Sequence, residues 1–156
     1  MKIVINKCYG GFGLSPLAVK RLAELNGKKC YFYMGGLGYE YKKTSIEECK
    51  SSGWWSAFSI DDTEEIRKTC CTPKNWASMS KQEKDARNQQ HEEISLDTKP
   101  DDRTDTKLIQ VVEELGESAS GKMAELKIVE IPDGVKWEID DYDGIEDIHE
   151  VHRSWS

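Results

Sequence analysis

The chain lacks a nucleophile with its base: there is no GxSxG segment, no Cys/His pairing at a recognisable local spacing, and only three histidines among 156 residues. Triad chemistry is therefore not expected. Carboxylate pairs do not replace it, because an acid and a base need contrasting environments and an exposed acidic run provides only one. The expectation is a protein that is not an enzyme. A run of about 18 apolar residues is missing too, which excludes a membrane-spanning helix, and the opening MKIVINKCYGG has no apolar signal-peptide core. Five cysteines, an odd number without a CxxC pair, make no disulfide framework and suit a reducing compartment. These absences predict residence in the cytosol of the host.

Positive charge is also short: 22 Lys and Arg stand against 29 Asp and Glu, a net charge of -7. That balance argues against direct nucleic acid binding and against an anionic membrane surface, and favours a basic protein partner. The negative charge is concentrated. Residues 133–150, DGVKWEIDDYDGIEDIHE, hold eight carboxylates (Asp133, Glu138, Asp140, Asp141, Asp143, Glu146, Asp147, Glu150) and one cation, Lys136. Carboxylates this dense repel one another, so they are either solvated or set against a cationic partner. The opening leans the other way, with Lys2, Lys7, Lys20, Arg21, Lys28 and Lys29 against Glu24.

A chain of this length supports one domain with a substantial core. KIVINKC (2–8) alternates like a half-buried strand, and the glycines of YGGFG let the backbone turn. Ser15 as N-cap and Pro16 at the first helical position start a helix whose apolar stripe ends at Asn26-Gly27. KCYFYM (29–34) reads as a second strand, giving an opening strand, helix and strand. From Gly35 to Pro100 the pattern loosens into an irregular insert, in which SIEECKS is a helical turn, WWSAFSI (54–60) a strand and DDTEEIRK a helix start. SMSKQEKDARNQQHEEISL has good helix formers and almost no apolar face.

Order returns with TKLIQVVEELGE (106–117), helical through Leu108, Ile109, Val111, Val112 and Leu115 with Gly116 as its stop. LKIVEI (126–131) and VKWEID (135–140) are read as a hairpin closed by Pro132-Asp133-Gly134. Ile145, Ile148 and Val151, spaced by three, predict a short terminal helix, with a bent strand as the alternative. The fold class is α+β: a small, mostly antiparallel sheet of about four strands with two or three helices.

Three constellations invite chemistry. The glycine loop at Gly10, Gly11 and Gly13 joins a strand to a helix as a phosphate cradle does, but it lacks the Lys-Ser/Thr of a Walker loop and the GxGxxG spacing, so a structural turn is expected. His149 and His152, three apart beside Glu146 and Glu150, share a helical face, and together with Cys49, Cys70 and Cys71 they are the candidate ligands for zinc. The competing reading is surface histidines in an acidic tail. DxDG at Asp141–Gly144 fails as a calcium loop, because Ile139 falls where the first acidic ligand belongs. Trp54 and Trp55, adjacent on a strand, point to opposite faces, and with Trp76 they are candidate partner anchors.

IVINKCYGGFGLS with AVKRLAEL, and LIQVVEELGE with LKIVEIPDGVKWEIDDYDGIEDIHEVHRSW, resemble a family of small proteins encoded by phages and prophages of Gram-positive bacteria. The likeness covers residues 1–34 and 105–156, and 35–104 look like a variable insert on that frame. The setting is similar to that of type II-A anti-CRISPR proteins, inhibitors of Cas9. The resemblance implies a binding inhibitor without catalytic residues, directed at a basic host protein, with Cas9 first. It also implies contact through Asp140, Asp141, Asp143, Glu146 and Asp147, with Trp54, Trp55 or Trp76 as apolar anchors. Two alternatives stand beside it: sequestration of a nucleotide signal by the glycine turn and basic opening, and a small metal-binding protein.

Overall fold

The structure, a computed structural model, describes residues 1–35, 41–52, 54–70 and 76–151. In chain order the described elements are β1 (Lys2–Asn6), α1 (Pro16–Leu25), β2 (Tyr31–Met34), β3 (Lys42–Thr44), α2 (Ile46–Ser52), β4 (Ser56–Phe58) and α3 (Thr63–Cys70). There follow α4 (Lys81–Ile94), α5 (Thr106–Leu115), β5 (Leu126–Glu130), β6 (Trp137–Tyr142) and β7 (Ile145–Glu150). The fold is α+β. Its strands form three small antiparallel sheets, of two, three and two strands among the described residues, rather than one sheet of about four. No helix among the described residues is long and apolar enough to cross a membrane.

Residues 1–22 and 98–156 form one compact unit and residues 23–97 another. In the first, β1 is buried from Ile3 through Asn6, as befits a strand covered on both faces. It pairs antiparallel with β5, Ile3 opposite Val129 and Ile5 opposite Lys127. Helix α1 starts as its sequence dictates: Ser15 Oγ accepts from Ala18 N at 3.2 Å, and Pro16 occupies the first helical position, where no N–H is needed. Helix α5 is capped by Asp105 and packs against β1 and β5, burying Leu108, Val111 and Val112.

The expected hairpin between 126–131 and 135–140 does not form. Both strands exist, but β5 takes β1 as its partner and β6 takes β7. Met1 and Ile131 exchange backbone hydrogen bonds at 2.8 and 2.9 Å, which continues the β1–β5 register past Lys2 and Glu130. The expected terminal helix is likewise corrected to strand β7.

The second unit is more regular than a loop-rich insert. Its sheet runs β3-β2-β4, so β1 and β2 of the expected opening strand–helix–strand lie in different sheets. Tyr33, Tyr41, Phe58 and Ile66 make its core, with Ile94 at the end of α4 packed against them. The rings of Tyr33 and Tyr41 meet Phe58 edge-on at 5.7 and 5.5 Å. Helix α4 has no fully buried residue and is set by its capping box, in which Ser80 Oγ accepts from Glu83 N and Glu83 accepts from Ser80 N.

Candidate functional site: an acidic hairpin

Strands β6 and β7 are joined by Asp143 and Gly144, whose φ angles of 53° and 89° are the left-handed pair of a type I′ turn. Asp141 steadies the turn by accepting from Gly144 N at 3.0 Å. The register opposes Tyr142 to Ile145, Asp140 to Asp147, Ile139 to Ile148 and Glu138 to His149. Because side chains alternate between faces, Trp137, Ile139, Ile148 and Glu146 share the inner face, where each is at least half-buried, with the exposed Asp141 and Glu150 at its two ends. Glu138, Asp140, Tyr142, Asp147 and His149 share the other face and are all exposed.

Glu146 is therefore removed from the expected contact residues. It is 4% exposed, its Oε2 accepts from Asn6 N at 2.8 Å, and its Oε1 lies 3.4 Å from Arg103 Nη2. The Arg103 guanidinium rests 3.2 Å above the Phe12 ring. Asn6 extends the anchorage: its amide nitrogen donates to Gly144 O and Cys8 O, both at 2.5 Å, and its oxygen accepts from Glu125 N at 2.8 Å. Lys7 donates to Glu146 O at 3.2 Å and pairs with Asp147, holding that carboxyl below the usual carboxylate range. Asp147 thus has an internal partner while remaining exposed. Asp140, Asp141 and Asp143 are exposed, with His149 Nε2 3.9 Å from Asp140.

The expected tryptophan anchors belong to the other compact unit. Trp54 is 77% exposed. Trp55 packs edge-on against Phe32 at 5.5 Å, and Trp76 is half-buried beneath the Lys84 ammonium at 5.6 Å. Trp54 alone of the three keeps the exposure of an anchor.

Among the described residues the candidate metal ligands are not gathered into one group. Cys49 is a core residue of α2, 1% exposed, and its thiol is pushed up to about 11 by burial and by Glu48, which disfavours the thiolate a metal needs. Cys70 is half-buried against the Tyr33–Phe58 core. His149 stands on a strand, β7, where a helix was expected. Cys71 and His152 lie outside the described residues. Among the described residues no group of three or more potential ligands gathers for a metal.

The glycine loop is occupied by the chain itself. A Cβ on Gly10 would fall 1.8 Å from Met123 O, and one on Gly144 would fall 2.5 Å from Gly11 N. Gly121 N donates to Gly13 O at 2.8 Å, and Ser15 Oγ both caps α1 and donates to Ser118 O. Gly10 permits close backbone packing and Gly11 supplies a positive φ of 79°, as a structural turn requires. The residues missed by sequence reasoning are Asn6, Lys7 and Arg103, which fasten the hairpin to its unit. Comparison with protein-family models, with curated proteins and with solved structures finds no match for this chain.

Proposed function

We propose that this protein is a non-catalytic, phage-borne inhibitor of a bacterial defence effector, acting in the host cytoplasm by laying its acidic hairpin on a cationic surface that otherwise holds nucleic acid. Cas9 is the leading target, on the strength of the resemblance in the opening and closing segments. The observation that carries the binding mode is the exposed pairing of Asp140 opposite Asp147 with Glu138 on the same face and Asp143 at the turn, while the exposed Asp141 adds charge from the opposite face. Like charges directly opposite on a strand pair cost stability, and a cationic partner reverses the sign of that term. Glu146 and Asp147 are already matched by Arg103 and Lys7, so Asp140, Asp141 and Asp143 carry the contact in this reading.

The test is direct binding to guide-free Cas9. The affinity is expected to fall steadily between about 0.1 M and about 1 M salt, over which the Debye length shrinks from about 10 Å to about 3 Å. Changing Asp140, Asp141 and Asp143 together to Asn should weaken binding by about tenfold or more, and guide RNA should compete. Undiminished affinity in the triple variant rejects the hairpin as the contact.

A further inference from the structure

We infer that the outer edge of β6 is a docking site for an extended segment of the partner that alternates basic and apolar residues, added as a third strand to the hairpin. The inference deepens the proposed function and rests on it.

Hydrogen-bond parity fixes which edge is open. Val151 N donates to Lys136 O at 2.8 Å, so in this antiparallel register the pairs 136/151, 138/149, 140/147 and 142/145 exchange ladder bonds. The amides of Trp137, Ile139 and Asp141 therefore point away from β7, and among the described residues none of them has a hydrogen-bond partner. The opposite edge is engaged: β7 packs against β1, and its Glu146 carbonyl receives Lys7 Nζ at 3.2 Å. In the β1–β5 sheet the outer edge of β5 is less open, because Leu126 N donates to Ser120 Oγ at 2.9 Å. It is also mixed in sign, with Lys127 beside Glu125 and Glu130.

Unpaired strand edges template the addition of another strand, whose main chain supplies affinity and whose alternate side chains supply specificity. A strand laid along β6 sends alternate side chains to the two faces already described. On one face its neighbours are Glu138 and Asp140, both exposed, so lysine or arginine fits there. On the other they are Trp137 and Ile139, both half-buried, so an apolar side chain completes their cover, with the exposed Asp141 following on that face at the turn end. The β6 edge thus reads an alternating sequence, where a solvated acidic surface would respond to net charge alone.

The experiment is amide hydrogen exchange on the full chain, with a capped hexapeptide alternating arginine and valine. The control has the same composition in two blocks, three arginines followed by three valines. The alternating peptide is expected to slow exchange at Trp137, Ile139 and Asp141 at least tenfold while the block peptide leaves them unchanged. Ile139→Pro, which removes an outward amide at a position where edge strands tolerate proline, should lose at least tenfold in affinity for the alternating peptide relative to Ile139→Ala. No protection at those three amides, or equal protection by both peptides, overturns the inference. If salt-sensitive binding to the cationic protein persists in that case, the edge alone is rejected; if that binding is absent as well, the proposed function falls with it.

Discussion

Asn6 has no exposed surface, and its side chain holds together three stretches of chain: it donates to Cys8 O and Gly144 O and accepts from Glu125 N. Truncation to alanine leaves the part-buried Glu125 N and Gly144 O without these bonds inside the fold, and a buried group so stranded costs about 1–3 kcal/mol. Asn6→Ala is expected to lower unfolding stability by about 2–3 kcal/mol, read as a shift in urea midpoint. Gly144 and Gly134 separate two causes of glycine preference, since their φ angles are nearly equal at 89° and 81°. Alanine at either costs about 1–2 kcal/mol of left-handed strain. At Gly144 the new Cβ also meets Gly11 N at 2.5 Å and Tyr9 O at 2.6 Å, whereas at Gly134 nothing lies within 4 Å. Gly144→Ala should therefore be the more destabilised by at least about 1 kcal/mol in paired thermal melts. None of this was legible beforehand, because a polar residue closing an apolar strand reads as its end, and the partners of Asn6 lie up to 140 residues away. Glu146 looked like its neighbours for a related reason: composition gives its charge, but only the hairpin register gives its face.

Helices α1 and α5 were readable from local chemistry, Ser15-Pro16 and Asn26-Gly27 at the ends of one and the apolar face with Gly116 as its stop for the other, while the Asp105 cap of α5 was not. They are also tied across their faces. Arg21 Nε and Nη2 reach the two oxygens of Glu114 at 2.7 and 3.2 Å, and Gln110 donates to the same carboxylate at 2.6 Å. Arg21 first and Gln110 second hold that carboxyl down at about 2, against an ordinary value of 4.5. A carboxyl depressed by folding contributes stability that is complete above 4.5 and is lost as pH falls through about 2. Melting temperature measured across that window should fall less steeply in Glu114→Gln than in the unaltered chain, and parallel curves would show that the pair contributes nothing. Strand pairing was harder to read. Ile145, Ile148 and Val151 satisfy a helical spacing of three, yet on the strand Ile145 sides with Tyr142 and Ile148 with Ile139. The missed signal was Asp143-Gly144, the dipeptide a type I′ turn favours, while Pro132-Asp133-Gly134 also reads as a turn and drew β5 and β6 into a false pair. The true partner of β5 is β1, joined through a register that runs from Lys2 opposite Glu130 to Asn6 opposite Leu126. Local pattern carries no information about a partner so distant in sequence.

Taken over the whole molecule, the eight acids and one lysine of residues 133–150 account for the entire net charge, because the other 21 acids are balanced by 21 lysines and arginines. The field that a distant cation meets is thus the field of one hairpin superposed on a neutral body. At physiological ionic strength exposed charges act over about 8 Å, so the position of these carboxylates should matter more than their number. Two variants with the same net charge test that. One changes Glu138, Asp140, Asp141 and Asp143 to their amides; the other changes Glu47, Glu65, Asp85 and Glu92, which are exposed in the other compact unit. Each loses four negative charges and moves from -7 to -3. The hairpin variant is expected to lose the salt-dependent part of its association rate with a cationic partner, about tenfold or more, while the second stays within about twofold, as read by stopped-flow binding at several salt concentrations. Equal losses in both would mean that overall charge governs the encounter, and the hairpin would then be an ordinary solvated surface whose like-charge pair at Asp140 and Asp147 is offset within the chain by Lys7.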